Sequence, residues 1–385
     1  MRIDRYDELT WAEIEALPRA VPLLLPLGLD GYDHAAAARR LRAQHVVVLP
    51  AVPYGLAFGD GRPLGRLALP RPLLRRTLRG VLRELSAQGF TRLVLLDAHR
   101  AAAGLDLRPA RVLAIKAPPA EARPWPGDLG AVVTVVSTGH TEQHAHHLPC
   151  GTDTFIAEAI AEGLAQRAGA ATLCLPAWPY GASTHTREFP GTLDLGGRLF
   201  EDLFLALVGR LVQLGARAVY FANAHGGNHS YLVNVVKTAG ERWPQAFVAT
   251  EWLHTTGPAL ERLRSTARGG MGHAGELETS YLLHLRPDLV RRARAVPETD
   301  FVATPNYWMD WIEGGRLIAN PPWRDDTTTG AYGDPTAATA EKGRQWLQAA
   351  VDEKLEALAE IVEQQHRRQA RRAARARGRL LDRSG

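Results

Sequence analysis

Cysteine is scarce in this chain: Cys150 and Cys174 are the only two among 385 residues. Two cysteines make no disulfide framework, and the sequence reads as a protein of a reducing compartment. Long apolar runs are missing too. No stretch of eighteen apolar residues occurs, so no membrane span is expected. The opening "MRIDRYDELTWAEIEALP" has no apolar core of a secretory signal. A cytoplasmic location is the expectation. Charge of one sign is weak as well, with 46 Lys and Arg against 41 Asp and Glu and a net charge of +5. Part of that excess sits in "HRRQARRAARARGRLLDR", residues 366–383, read as a solvated helical end and basic tail (366–385). Outside it the chain is close to neutral, and neither a nucleic-acid nor a membrane partner is expected.

What is present suits a folded enzyme-sized chain. Apolar residues make up 45% and charged residues 23%, enough to bury real cores, and the length fits two domains. The chain also resembles itself. "VVLPAVPYG" (47–55) answers "LCLPAWPYG" (173–181), and "GFTRLVLLDAHRA" (89–101) answers "GARAVYFANAHGG" (215–227). Ala51 to Ala177 and His99 to His225 are the same 126 residues apart. Gly65, Leu67, Leu69, Leu73 and Leu85 meet Gly191, Leu193, Leu195, Leu199 and Leu211 in the same frame. Each unit reads as strand, loop, amphipathic helix, buried strand. In the second unit the helix is "GGRLFEDLFLALVGRLVQLG", with Gly215 as its stop, and the buried strand is "AVYFAN". That order is the grammar of a parallel α/β sheet. The expected organisation is a degenerate repeat over 1–117, a Pro-rich linker over 118–129 and a second, complete unit over 130–365.

The second unit concentrates metal-type ligands. The strand "AVVTVVSTG" (131–139) runs straight into "TGHTEQHAHHLPCGTD" (138–153), at the mouth of a sheet, where α/β proteins place their sites. Glu142 and His144 are one residue apart, so an extended loop points both the same way. Asp153 opens the helix "TDTFIAEAIAEGLAQR"; a plain helix cap is the competing role for Thr152 or Asp153. The strand 218–223 ends in "NAHGGNHS", with His225 at the tip, small Gly226 and Gly227 beside it, and Asn228 suited to tying the turn. A third cluster, "GMGHAGELETS" (270–280), offers His273, Glu276 and Glu278. Carboxylates and imidazoles without thiolates suit Zn²⁺, Mn²⁺ or Fe²⁺. More than four such ligands suggest two metals sharing a carboxylate. His146 and His147 are read as support, and His140, His229 and His254 as bystanders.

These residues resemble the creatininase family of metal-dependent amidohydrolases. The family's first motif, Gly-x-x-Glu-Gln-His-Gly-x-His-Leu-Pro-x-x-Thr-Asp, stands here as "GHTEQHAHHLPCGTD"; its Asn-Gly-His-Gly-Gly-Asn as "NAHGGN"; its His-Ala-Gly-x-x-Glu-Thr-Ser as "HAGELETS". "REFPGTLDL" (187–195) and "GAYGDPTAATAEKG" (330–343) follow the family as well. The resemblance implies a three-layer α/β/α fold with a mainly parallel central sheet, preceded here by a degenerate half-repeat, and a centre of two divalent metal ions. By position Glu142, His144, Asp153 and His225 are ligands, with Asp153 bridging. His273 matches the catalytic histidine. Glu278 is expected as the remaining ligand and as part of the catalytic group, with Glu276 the weaker candidate. The family's creatinine-opening enzyme has a glutamate where this chain has Gly227, which puts the second metal's shell in question. Trp252, His185 and Asn228 are the candidate substrate-binding residues.

The implied activity is cleavage of a C–N amide bond by a metal-bound hydroxide, with His273 passing a proton to the departing nitrogen. Family members open creatinine, remove formyl groups or cleave short ribosomal peptides. The creatinine enzyme carries a tryptophan just before the catalytic histidine, where this chain has "ARGGMGHAG". A small-molecule or short modified peptide amide is therefore expected, with "NYWMDWIEGGRL" (306–317) as a lid or wall and Trp308, Trp311 and Trp323 as pocket candidates. The first unit keeps His99 but has "PLGLDGYDHAAA" (26–37) in place of the ligand loop, with Gly31 and Asp33 at the Glu142 and His144 positions. It is expected to be a structural partner, and the whole protein a homo-oligomer. The competing readings are a non-catalytic metal- or ligand-binding protein and a scaffold subunit of a biosynthetic complex.

Overall fold

A computed structural model of the chain describes residues 1–29, 31–56, 63–115 and 125–381. Residues 118–124 of the expected linker and 382–385 of the expected tail lie outside the described residues. The strands form two wholly parallel sheets. The first contains β1 (Arg2–Arg5), β2 (Leu23–Pro26), β3 (His45–Val48), β4 (Leu93–Leu96) and β5 (Arg111–Leu113), in the order β1-β3-β2-β4-β5. The second contains β6 (Val133–Thr138), β7 (Thr172–Cys174), β8 (Ala218–Asn223) and β9 (Phe247–Thr250), in the order β7-β6-β8-β9. The helices are α1 (Trp11–Glu15), α2 (His34–Arg40), α3 (Arg71–Ala87), α4 (Thr152–Ala168), α5 (Gly197–Gln213), α6 (His229–Arg242), α7 (Pro258–Leu263), α8 (Glu276–Leu285) and α9 (Ala340–Leu381).

The central strands are buried along their whole length because both faces are covered, which is why they read as unbroken apolar runs. The two-residue period of a strand then sorts side chains between faces. In β8, Ala218, Tyr220 and Ala222 meet Ile156, Ile160 and Leu164 of α4, Leu277 and Tyr281 of α8, and Trp346 of α9. Val219 and Phe221 point the other way, into a core with Phe200, Phe204 and Leu207 of α5 and Leu232 and Val235 of α6. The same core takes Leu78 and Leu85 of α3 and Leu23, Leu25, Leu93 and Leu95 of the first sheet. Leu24, Val46 and Val94 face α2 on the far side. The second sheet thus has the expected three-layer α/β/α build. The first sheet does not trail as a separate unit, because α3, α5 and α6 fill one continuous core between the sheets. Truncating a leucine in that layer to alanine costs about 2–5 kcal/mol.

The order β3-β2-β4-β5 in the first sheet reappears as β7-β6-β8-β9 in the second. The helices α3 and α5 are both 17 residues long and begin at Arg71 and Gly197. They lie against each other where Gly80 has no side chain; a Cβ there would sit 3.1 Å from Leu195. Arg76 pairs with Asp202 across that contact at 2.8 Å. Tyr180 donates to the Pro50 carbonyl at 2.5 Å, and Trp178 packs on Tyr54. The helical end expected from residue 366 is the continuation of α9, which runs unbroken for 42 residues to Leu381. Among the described residues, no helix is long and apolar enough to cross a membrane.

Candidate metal centre

The candidate ligands meet past the C-terminal ends of β6 and β8. After Thr138 the chain passes the start of α4 so closely that a Cβ on Gly139 would lie 2.5 Å from Thr154 Cα. The loop turns back at Ala145, whose φ of 56° is left-handed. Glu142 and His144 precede that turn and point inward, fully buried. The N-terminal half braces the loop from behind. Cys150 and Gly151 donate their N–H groups to the Leu9 and Asp7 carbonyls, each at 2.8 Å. Trp11 opens α1 behind a Thr10–Glu13 capping box and stacks on His146 at 4.6 Å. Asp153 lies in the first turn of α4, but Gly151 takes the cap position and makes no side-chain cap bond. The plain-cap alternative does not hold.

Asp153 stands between two histidines. Its Oδ1 is 3.0 Å from His144 Nε2 and its Oδ2 is 3.0 Å from His225 Nδ1. Glu142 Oε1 adds to the His225 side at 3.1 Å, and Glu278 Oε2 to the His144 side at 3.7 Å. Two sets of neighbours result, Glu142 and Asp153 about His225, and Asp153 and Glu278 about His144, sharing the one aspartate. The histidine tautomers follow from their other nitrogens. His144 Nδ1 lies 3.1 Å from the Glu142 carbonyl, and His225 Nε2 lies 3.2 Å from the Ala182 carbonyl. A carbonyl only accepts, so each of these nitrogens carries the proton, and the opposite lone pair faces the carboxylates. Holding a histidine by its far N–H is how metal sites orient their imidazoles. Glu142 Oε1 and Asp153 Oδ2 are buried without a directional hydrogen bond. Three buried carboxylates with lone pairs turned toward them form a donor set suited to divalent cations.

The carboxylates also draw a second proton toward these imidazoles, the proton that a cation would replace. Burial disfavours charge on Glu142, yet His225 outweighs it and holds the carboxyl well below its usual range. Burial also opposes a charged His144, but Asp153 and Glu278 raise it to about 9. Glu278 goes the other way: burial, with Asp153 and Glu142 close by, pushes it up despite His144. His273 sits against the cluster, its Nδ1 3.5 Å from Glu142 Oε1. Its Nε2 donates to the Gln143 carbonyl at 2.8 Å, so Nδ1 is the free basic nitrogen. Burial and then the neighbouring His144 lower it to about 3, which keeps it neutral.

The remaining expectations divide. Glu276 is no ligand: it accepts from the Ser265 and Thr266 backbone and pairs with Lys342. Trp252 and His185 line the cavity in front of the cluster. Asn228 does not, and its expected substrate role is corrected. It is fully buried, accepts from Ala182 N–H at 3.1 Å and donates to the Gly139 carbonyl at 3.2 Å, tying the two ligand loops together. Asn228→Ala should therefore cost about 2 kcal/mol of stability in urea unfolding, the desolvation of two unpaired backbone groups. His140 is no bystander. Its Nδ1 accepts from Gly181 N–H at 2.8 Å, so Nε2 carries a proton and is a donor, not a ligand, beside Glu142 and His225. His229 also lines the cavity, while His254 is buried against Tyr281 and Trp311. Ser183 and Thr186, both donors to Glu142 Oε2, went unread in the sequence. Their signal is their place beside "REFPGTLDL". Trp311 and Trp323 line the cavity with Tyr307 and Met309, so alternate residues of 307–311 form part of a wall. Trp308 is corrected: it turns away, onto Phe301 under Arg268.

The cavity holds about 670 Å³. Its charged groups, among the described residues, are the carboxylates of the cluster and histidines; the rest is aromatic, aliphatic or small and polar.

The sequence profile described as creatinine amidohydrolase matches residues 7–105 and 127–358. The chain is 33% identical over 256 residues to the mycofactocin precursor peptide peptidase of Mycobacterium tuberculosis, covering 60% of this chain and 90% of that one. It is 28% identical over 258 residues to creatinine amidohydrolase of Pseudomonas putida, covering 62% and 92%. The solved structure described as creatininase Mn superposes with a TM-score of 0.51 at 25% identity, over 60% of this chain and 91% of that one. Profile, relatives and fold agree with the site geometry: the chain belongs to the creatininase family and is an amide-cleaving hydrolase.

Proposed function

We propose that this hydrolase uses two divalent cations, Zn²⁺, Mn²⁺ or Fe²⁺, to cleave an amide bond of a short modified peptide. The observation that carries the reading is Asp153, which turns one oxygen to each of two histidines whose far nitrogens are fixed on backbone carbonyls. Glu142 and His225 would hold one cation, His144 and Glu278 the other, and Asp153 both. Bound there, the cations polarise an amide carbonyl and bring a water's pKa toward neutrality. Ser183 and Thr186 fix the outer oxygen of Glu142, leaving Oε1 for the centre. His273 Nδ1, oriented through its Nε2–H bond to Gln143, takes a proton from the attacking water and delivers it to the departing nitrogen. Glu278 Oε2 accepts from Ala274 N–H at 2.6 Å and so fixes the turn that presents His273.

The peptide reading rests on the cavity and on the peptidase relative. A space of about 670 Å³ suits several residues of chain better than one small ring. Trp252, Tyr307, Trp311 and Trp323 give it aromatic walls for side chains beside the scissile bond. We also read residues 1–117 as a duplicate that lost its ligands and now braces the active loop. The repeated strand order and the Asp7 and Leu9 contacts support this, and Asp33 at the former His144 position merely caps α2. The test is a panel of creatinine, formamides and short peptides offered to metal-loaded protein. Peptide hydrolysis that stops on chelation and returns with metal is the expected result. Faster opening of creatinine than of any peptide would overturn the substrate assignment.

A further inference from the structure

A second recess lies beside the catalytic cavity and is lined by arginine. It occupies about 700 Å³ between α3 and the start of α5, and Arg75, Arg76, Arg79, Arg83 and Arg198 are its only charged lining residues among those described. The sequence arranges this directly. Arg75, Arg79 and Arg83 recur every four residues along α3, with Arg76 beside them, so one helical stripe turns outward while Leu74, Leu78, Val81 and Leu85 enter the core. The side chains stay open to solvent: Arg76 is 54%, Arg79 51%, Arg83 59% and Arg198 90% exposed. Their acidic neighbours stand outside the recess. Asp202 pairs with Arg76, Glu84 with Arg83 and Glu201 with Arg198, while Asp106 is 4.0 Å from Arg79. Arg75 has no acidic partner among the described residues. The Arg76–Asp202 and Arg79–Asp106 pairs are exposed on both sides and contribute little, so an incoming carboxylate can displace them, whereas Glu84 and Glu201 are buried and keep their arginines.

The recess shares a wall with the catalytic cavity. Gly197 lines it, and the ring of Tyr231 lies flat against Gly197, where an added Cβ would sit 2.0 Å from Tyr231 Cε1. Tyr231 also lines the metal-side cavity. Tyr231 is thus a side chain that stands between the two spaces. The catalytic cavity itself offers no lysine or arginine among its described lining. Among the described residues, basic side chains of the Lys and Arg type are therefore concentrated next door.

We infer that the arginine recess between α3 and α5 is an exosite for an acidic segment of the peptide substrate, gripping glutamates or aspartates while a neutral, apolar segment occupies the metal cavity. This rests on the peptide reading above. A nucleic acid fits less well: among the described residues the recess is lined by no aromatic side chain on which a base can stack, and the chain outside its C-terminal run is close to neutral.

The test uses metal-loaded full-length protein, a fluorescently labelled peptide with a run of glutamates ahead of a neutral segment, and its glutamine counterpart, at physiological salt. The Arg75→Glu/Arg79→Glu variant changes two exposed side chains and leaves the core and metal ligands untouched. Anisotropy should show the glutamate peptide binding the wild type, and the variant at least about ten-fold more weakly. KM for the glutamate peptide should rise with it at unchanged kcat, and the glutamine peptide should not respond. Equal binding of the two peptides, or of the glutamate peptide to wild type and variant, overturns the exosite. So does a single-stranded oligonucleotide that binds more tightly with the same arginine dependence. Arginine-dependent binding of the glutamate peptide without cleavage of either peptide leaves the exosite standing and defeats the hydrolysis reading instead.

Discussion

Asp153→Asn is expected to lose both cations and to lower amide hydrolysis by more than about a hundred-fold, beyond what losing an outer partner costs. The side chain keeps its size, so the start of α4 and the packing around it should survive. Its charge and its symmetry do not. One amide oxygen can face His144 or His225, and an NH₂, which donates and offers no lone pair to a cation, must face the other. Circular dichroism and metal analysis on the same sample separate this outcome from unfolding. A variant that keeps its helical signal, its metal and its activity would show that Asp153 does not bridge.

The second large effect separates two glutamates that stand one residue apart. Glu278→Gln should remove one cation of the two and most of the activity. The oxygen on the His144 side is also the one that accepts from Ala274 N–H, so the amide can keep the turn before α8 and what it takes from the cation is the negative charge. Glu276→Gln should do the reverse. It leaves Lys342, which is only 17% exposed, without its carboxylate partner. Breaking a buried pair of this kind costs about 3 kcal/mol, so the midpoint of urea unfolding should fall while metal content stays at the wild-type level. Stability and stoichiometry measured side by side decide the assignment. Metal loss from the Glu276 variant and metal retention in the Glu278 variant would reverse it.

Much of this was legible from local pattern. "AVYFAN" is a strand over those six residues because a strand covered on both faces must be apolar throughout. The helix ended by Gly215 spans Gly197–Gln213, within its expected bounds, since its apolar positions recur at helical spacing. That Glu142, His144, Asp153, His225, His273 and Glu278 come together could be read because each lies shortly after a strand or close to the start of a helix at the C-terminal end of one sheet. The pieces that escaped reading depend on distant partners. Ser183 and Thr186 are ordinary polar residues until the fold brings Glu142 to them. Asn228 can tie a turn by its own local bonds, and only the structure shows it spanning from Gly139 to Ala182. His140 and its neighbours carry the same imidazole, and which nitrogen is committed to Gly181 decides its part. The edge strand β1, "RIDR", escapes because an exposed strand rich in charge has no apolar run to betray it.

The account stands on two cations held around one aspartate. Metal content per chain, measured by mass spectrometry on protein whose hydrolysis of a peptide amide is assayed before and after chelation, tests it most directly. The account predicts two equivalents of divalent metal, activity lost with them and recovered on their return. A protein that binds one equivalent or none, and still cleaves after chelation, would contradict it.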